Sequence, residues 1–280
     1  MAGHKHNGKQ AKAFELYKQG FSRREIANKL GIAIVTAGNH IQRAKKKDKE
    51  KSAKELSGPV LVIGDCHAPT MHADYLPFLK QMYEKHKCGR VVHIGDLVDW
   101  NSISFHDSEA FMPNPVDEFK QAKEQVKTLH SAFPVADLLI GNHDSLPSRQ
   151  ASKLGLPEEV LRDFGSLWGL DGWTVHSRYA DLEIDGVIYR HGDKGKGGLM
   201  AAYKNCIAEF KSVVQGHLHA QAGVVYHANG GNCVFGMQVG CGVDHSHPAM
   251  NYGRVYAAKP ILGCGIVYSS RLAFFEPMFL

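Results

Sequence analysis

The chain has 280 residues, 44% of them apolar, and a formal net charge of +5, a profile that suits a globular protein with one large and one small domain. No apolar run reaches the roughly 20 residues of a bilayer-spanning helix, and MAGHKHNGKQ has no apolar stretch behind its charges, so neither a membrane span nor a secretory signal is expected. Six scattered cysteines with no CxxC pair argue against a disulfide framework and for reduced thiols in a cytoplasmic protein.

Charge divides the chain. Residues 1–57 carry 14 Lys and Arg against 5 Asp and Glu, a net of +9; the remainder carries 19 against 23, a net of −4. A basic segment ahead of an acidic remainder fits a polyanionic partner, and equally a solvated, lysine-rich arm. Residues 11–46 read as helical. Phe14, Leu16 and Tyr17 form an apolar cluster that Gly20 ends. Ser22 and Glu25 make a capping box that opens a second helix, with Ile26, Ala27 and Leu30 facing inward. Gly31-Ile32 turns the chain into a third helix from about Ile34 to Lys46. The string SRREIANKLGIAIVTAGNHI resembles a helix-turn-helix of the resolvase and response-regulator type. It departs from that pattern in having Ala33 at the cap of the recognition helix. Gly38 within that helix costs about 1 kcal/mol relative to alanine. In such a motif Thr36, Asn39, His40, Gln42 and Arg43 would face bases, and Arg23, Arg24, Lys45, Lys46 and Lys47 would meet phosphates. The other reading of the segment is a small helical unit for protein interaction or dimerisation. The charged stretch KKKDKEKSAK and Ser57-Gly58-Pro59 read as a linker, so residues 1–57 and 58–280 are expected to be separate domains.

From Pro59 onward, strands and helices alternate. Four short apolar runs, each followed by glycine and then by Asp, His or Asn, recur: VLVIG-DCH at 60–67, VVHIG-DLVD at 91–99, ADLLIG-NHD at 136–144 and SVVQG-HLH at 212–219. Helices are expected over 73–86, 117–131 and 199–210. A second half is expected from Trp173, with a hairpin turn at Asp185-Gly186 and antiparallel strands at 224–226, 233–239 and 265–275. In an α/β sheet, ligands gather beyond the carboxyl ends of strands. Four such ends delivering oxygen and imidazole groups describe a metal centre.

The motifs DxH, GDxxD, GNHD, a lone His after a strand and GHxH, in that order over residues 59–275, resemble the calcineurin-like metallophosphoesterase superfamily. The resemblance implies an α/β fold, a sandwich of two mixed β-sheets flanked by helices, here preceded by the small all-α helix-turn-helix-like domain. It implies two divalent ions, Mn2+ first among Fe, Zn, Ni, Co and Mg. Asp65, His67 and His219 would hold one ion and Asn142, His191 and His217 the other, with Asp96 bridging both. Mixed nitrogen and oxygen ligands suit such metals, and paired ions activate water and clamp phosphoryl oxygens. The resemblance gives His143 the protonation of the leaving oxygen, while Asp99 would hold the His143 imidazole in one tautomer. Phosphoprotein phosphatases of the superfamily carry GDxxDRG and GNHE; here Trp100 and Asp144 stand instead, which argues against Ser/Thr protein phosphatase activity. The chain resembles more the smaller members, often phage or bacterial.

His106, Lys194 and Lys196 are weaker candidates for substrate contacts, as are Ser104 and Asp107 for lining the cleft. The run Asp244-His245-Ser246-His247 reads as loop before ligand set, and His93 as a satisfied core residue. The expected function is metal-dependent phosphoester hydrolysis on nucleic acid, as a nuclease or DNA-end phosphatase, with DNA as partner, no membrane, and oligomerisation left open. The alternative is a phosphomonoesterase or cyclic-nucleotide phosphodiesterase on small molecules or phosphoproteins, with the helical domain used for assembly.

Overall fold

The computed structural model describes residues 3–43, 58–105, 114–247 and 258–280. Lys45, Lys46, Lys47, His106 and Asp107 lie outside these. The chain divides into two compact units, Met1–Ser57 and Gly58–Leu280.

Among its described residues the first unit holds three helices, α1 (Gly3–Lys18), α2 (Arg23–Leu30) and α3 (residues 34–43). The capping box forms as its residues dictate. The Ser22 hydroxyl accepts from the Glu25 N–H at 3.4 Å, and the Glu25 carboxylate accepts from the Ser22 N–H at 2.7 Å. Loss of such a cap typically costs about 1 kcal/mol. Gly31 closes α2 at φ +59°, a left-handed conformation that glycine adopts without a Cβ clash. Ala13, Ile26, Ala27, Ala37 and Ile41 make the core. Two expectations need correction. α1 begins at Gly3, well before residue 11, so His4 and His6 fall on helical backbone. His40 is buried rather than base-facing, because Ala37, His40 and Ile41 share the inward face at the i, i+3, i+4 spacing of a helix. Asn39, Gln42, Arg43, Arg23 and Arg24 are exposed, and Thr36 is half-buried.

The second unit is built on two sheets. The first sheet has the order β11-β10-β1-β2-β3-β4. Its strands are β1 (Val60–Ile63), β2 (Arg90–His93), β3 (Ala136–Leu139), β4 (Trp173–His176), β10 (Gly263–Ser269) and β11 (Leu272–Pro277). β1 to β4 run parallel, and the β10–β11 hairpin adds antiparallel to β1. The second sheet, β5-β6-β7-β9-β8, contains β5 (Leu182–Ile184), β6 (Val187–Arg190), β7 (Ser212–Gln215), β8 (Ala222–Asn229) and β9 (Asn232–Val239). β6, β7 and β9 are parallel, and β5 and β8 are antiparallel edges. The strand from Trp173 therefore completes the first sheet rather than opening a second half, which starts at Leu182.

Side-chain alternation along β1 shows how the layers stack. Val60 and Val62 enter the core between the sheets with Val92, Leu139, Tyr189, Val214 and Met237. Leu61 and Ile63 point the other way, into a core with Leu79 and Met82 of α4 (Tyr75–Lys85) and Ala122, Val126 and Leu129 of α5 (Pro115–Ala132). α8 (Ala201–Glu209) covers the far side of the second sheet, where Cys206 packs on Ile188 and Val213. The shorter helices α6 (Leu146–Lys153) and α7 (Phe164–Trp168) follow β3. All six cysteines are free thiols.

Candidate metal centre

Five parallel strands end at one place, and each delivers polar side chains. β1 leads to Asp65 and His67, β2 to Asp96 and Asp99, and β3 to Asn142 and His143. From the other sheet, β6 leads to His191 and β7 to His217 and His219. The glycine after each apolar run makes room for this convergence. A Cβ on Gly141 would stand 2.1 Å from Asp96 Oδ1, and one on Gly216 would stand 2.3 Å from Asp65 Oδ1. His67, Asp96 and His217 themselves hold positive φ, of 47°, 49° and 69°. That conformation costs non-glycine residues about 1–3 kcal/mol each, and it collects at functional sites.

The donor atoms form overlapping groups. Asp65, His67 and His219 make one, Asp96, His191 and His217 another, and His67, Asp96 and His143 a third, with ligand atoms in each group within 4.8 Å of one another. Asp65 Oδ2 lies 3.0 Å from His219 Nε2 and accepts from the His217 N–H at 2.9 Å. Asp96 stands between the groups. Its Oδ1 accepts from the His143 N–H at 2.8 Å, while its Oδ2 is 3.2 Å from His191 Nε2 and 3.6 Å from His67 Nε2. Asn142 Oδ1 is 3.0 Å from the same His191 nitrogen.

This donor set fits cations. His191 donates through Nδ1 to the Ile94 carbonyl at 3.1 Å, which turns Nε2 towards two oxygen acceptors. Three such atoms need a proton or a metal ion between them. Burial opposes protonation of His191, but the Asp96 charge outweighs it and raises the pKa to about 10. Asp96 in turn, despite burial, is held well below the usual carboxylate range by His191, His143 and His67. His67 behaves differently: burial and neighbouring His143 lower its pKa, so it is neutral. Its Nδ1 donates to Asp99 Oδ1 at 2.7 Å, and its Nε2, with Asp65 Oδ1, is buried with no hydrogen-bond partner among the described residues. A buried lone pair facing carboxylates is a metal ligand's arrangement.

His143 borders an open cavity of about 360 Å³ together with His67, Asp96, Asn142, His217 and His219. Its Nδ1 donates to the Asp99 carbonyl at 2.8 Å and lies 3.1 Å from Asp99 Oδ1. Burial pushes the imidazole towards neutrality; Asp96 and Asp99 outweigh it and raise the pKa to about 10. Cations bound alongside would push it back down.

The structure revises the expectations for Asp99, Lys194 and Lys196 and agrees with those for Asp144 as a backbone-orienting residue, Asp244 as loop and His93 as core. Asp99 touches His143 but is closer to His67, so its carboxylate orients both rings. Asp144 orients backbone, accepting from the Gly141 N–H at 3.0 Å and the Val98 N–H at 3.1 Å; burial and Asp96 push its pKa up. Trp100 packs on Phe119 and Trp168, with ring centroids 5.9 and 5.5 Å away, and serves the core. Neither Lys194 nor Lys196 lines the cavity. Lys194 is taken up by the Tyr179 carbonyl and by Asp181 at 3.0 Å. Asp244 caps its own turn through Ser246, as a loop does. His93 is a core residue: its Nε2 meets Cys66 Sγ at 3.3 Å, and burial lowers its pKa to about 4.

Other contributors carried no sequence signal. Glu118, buried on α5, accepts from the N–H groups of Asn101 and Ser102 at 2.6 and 3.0 Å and so fixes the segment after Asp99. The Thr70 hydroxyl donates to the His67 carbonyl at 2.7 Å. Leu218, Gln221 and Ala258 line the cavity mouth. Leu218 and Gln221 are near the GHxH motif, but nothing in the sequence links Ala258 to it.

No curated protein sequence matches the chain significantly. Similar solved structures include Vacuolar Protein Sorting 29 from Cryptosporidium parvum, at 14% identity over 76% of this chain and 86% of that one, with a TM-score of 0.38. They also include the nuclease MPE of Pseudomonas putida, at 13% identity over 78% and 87%, TM-score 0.32. A third is the phosphoesterase YfcE of E. coli, at 15% identity over 74% and 87%, TM-score 0.34. Similarity at this level says nothing of activity. Residues 7–47 match sigma-70 region 4, a helix-turn-helix, in place of the resolvase and response-regulator type expected. Residues 58–221, more than half of the chain, match the calcineurin-like phosphoesterase family, and with the site at its strand ends the chain belongs to that family and is a hydrolase.

Proposed function

We propose that this chain is a dinuclear-metal phosphoesterase acting on nucleic acid, as a nuclease or a DNA-end phosphatase. The observation that carries the reading is the joining, in one chain, of this hydrolase site to a basic helix-turn-helix unit. A DNA-binding module on a tether raises the local concentration of a polymeric substrate. The exposed Arg23, Arg24, Asn39 and Arg43 are the described residues suited to that contact, and the charge of +9 over residues 1–57 supports it.

Asp65, His67 and His219 would hold one ion, Asn142, His191 and His217 the second, and Asp96 would serve both. The mixed nitrogen and oxygen set suits Mn2+ first, with Fe, Zn, Co, Ni or Mg as alternatives. Bound there, the ions would supply Lewis-acid activation of water and neutralise charge on phosphoryl oxygens. His143, anchored through Nδ1 on the Asp99 carbonyl, presents its Nε2 side to the cavity and donates a proton to the leaving oxygen. Asp99 keeps the His67 and His143 rings in register with each other. Asp144 holds the Gly141 and Val98 backbones, and with them the turn that carries Asn142 and His143.

The test is the full-length protein with Mn2+, assayed on p-nitrophenyl phosphoesters and on plasmid, duplex and single-stranded DNA, with and without chelator. Hydrolysis of both aryl esters and DNA, abolished by chelation and restored by metal, is the expected result. Turnover of aryl esters or cyclic nucleotides with no action on any DNA would overturn the nucleic-acid reading and leave a small-molecule phosphoesterase.

A further inference from the structure

A second cavity, of about 560 Å³, lies along α6 and is lined by Phe105, Ser148, Arg149, Ser152 and Lys153. Arg149 and Lys153 stand four residues apart on one helix face, where like charges repel. Both lean on the same exposed ring. Lys153 Nζ is 3.6 Å and Arg149 Cζ 4.7 Å from the Phe105 centroid. The ring draws the two cations together without neutralising either. Among the described residues no carboxylate pairs with Arg149 or Lys153. Two unneutralised cations converging on one concavity, with Ser148 and Ser152 beside them, make an anion site.

Its position says which anion. α6 follows directly on the turn that carries Asn142 and His143, and Arg149 Nη1 comes to 3.5 Å from the Asn142 carbonyl. Asn142 lines the metal-centre cavity. The two cavities are therefore neighbours, with Arg149 of one reaching the Asn142 carbonyl of the other. We propose that the Phe105–Arg149–Lys153 cavity is a subsite for the adjacent phosphate of a single-stranded polynucleotide whose scissile phosphate sits at the metal centre. This rests on the nucleic-acid reading above. The guanidinium takes phosphate oxygens two at a time and the ammonium adds a point charge. The Phe105 face offers a stacking surface to a base.

The test uses the full-length Mn2+-loaded protein and tetrathymidylate, a single strand too short for a duplex-reading helix-turn-helix. Its inhibition of p-nitrophenyl phosphoester hydrolysis is compared in the native chain and in Arg149→Gln/Lys153→Gln. Inhibition of the native chain is expected, weakened about tenfold or more in the double variant and weakened in Lys153→Gln alone, which leaves the Arg149 contact to the Asn142 carbonyl in place and should keep kcat/KM on the aryl ester unchanged. The logarithmic salt dependence of inhibition should flatten by about 0.7 for each phosphate that the variant no longer neutralises. Arg149→Lys/Lys153→Arg should keep most of the inhibition. Equal inhibition in native chain and double variant, no inhibition of the native chain, or a parallel loss on the aryl ester in Lys153→Gln would each overturn the subsite. Cleavage is scored separately. A protein that tetrathymidylate inhibits through these residues but that cuts no strand would retain the subsite and lose the nuclease reading.

Discussion

The two units of this chain place their charge in opposite ways. In the helical unit the core is small and apolar, Ala13, Ile26, Ala27, Ala37 and Ile41, and Arg23, Arg24 and Arg43 stand exposed around it. In the phosphoesterase unit Asp65, His67, Asp96, Asp99 and His191 are all buried, and each is tied to at least one other member of the site. Exposed, separate charges contribute in small and nearly additive steps. Buried, shared ones fail together, because removing one partner leaves another group desolvated and unmatched. Under the proposed function, the same contrast separates a surface that would gather substrate from a site that would do chemistry on it.

The largest effect is therefore expected at the group most shared. Asp96→Asn should abolish turnover and cut bound metal, read by elemental analysis, because under the proposed function this one carboxylate would offset the repulsion between two ions. Near-normal activity with two equivalents of metal retained would break the contrast at its strongest point. His143→Ala comes next. Metal content should hold, while hydrolysis of esters with poor leaving groups slows by about 10²–10⁴-fold. Activated aryl esters need less proton donation and should lose less; equal losses on both would mean that His143 only positions phosphate. The smallest effect is expected in the helical unit. Among the described residues a Cβ on Gly38 would meet only Arg23 Cδ, at 3.9 Å, so Gly38→Ala should stabilise that unit by about 0.5–1 kcal/mol in thermal unfolding. A loss of stability would show that α3 needs the glycine.

The site was legible in the sequence because its rule is local. An apolar run, a glycine and a ligand-bearing turn sit within a dozen residues, and Gly141 and Gly216 turn out to be places where any side chain would strike a carboxylate. What escaped depends on direction or on distance along the chain. His40 is one step round the helix from Asn39, a rotation of about 100° that separates solvent from core. The alternation in residues 265–275 announced a strand without saying that β10 returns to pair with β1 across the whole unit. Asp99 meets His143 as expected, but its position three residues after Asp96 does not announce that His67 reaches it more closely. Lys194 sits beside His191 in sequence, yet the fold offers it Asp181 first. The start of α1 had no signal, since GHKHNGKQ carries no apolar period.

The measurement that bears most directly on the joining of the two units is a comparison of the intact chain with one beginning at Gly58. All the candidate ligands lie beyond residue 57, and the charge after it is −4 against +9 before it. The shortened protein should hydrolyse a small aryl phosphoester at the intact protein's rate. Its affinity for duplex DNA should fall sharply, and the slope of log affinity against log salt should flatten by about 0.9 for each phosphate left unneutralised. Unchanged duplex affinity and an unchanged slope would contradict the account, and would leave residues 1–57 with a role in assembly, visible as a difference in mass between the two proteins by light scattering.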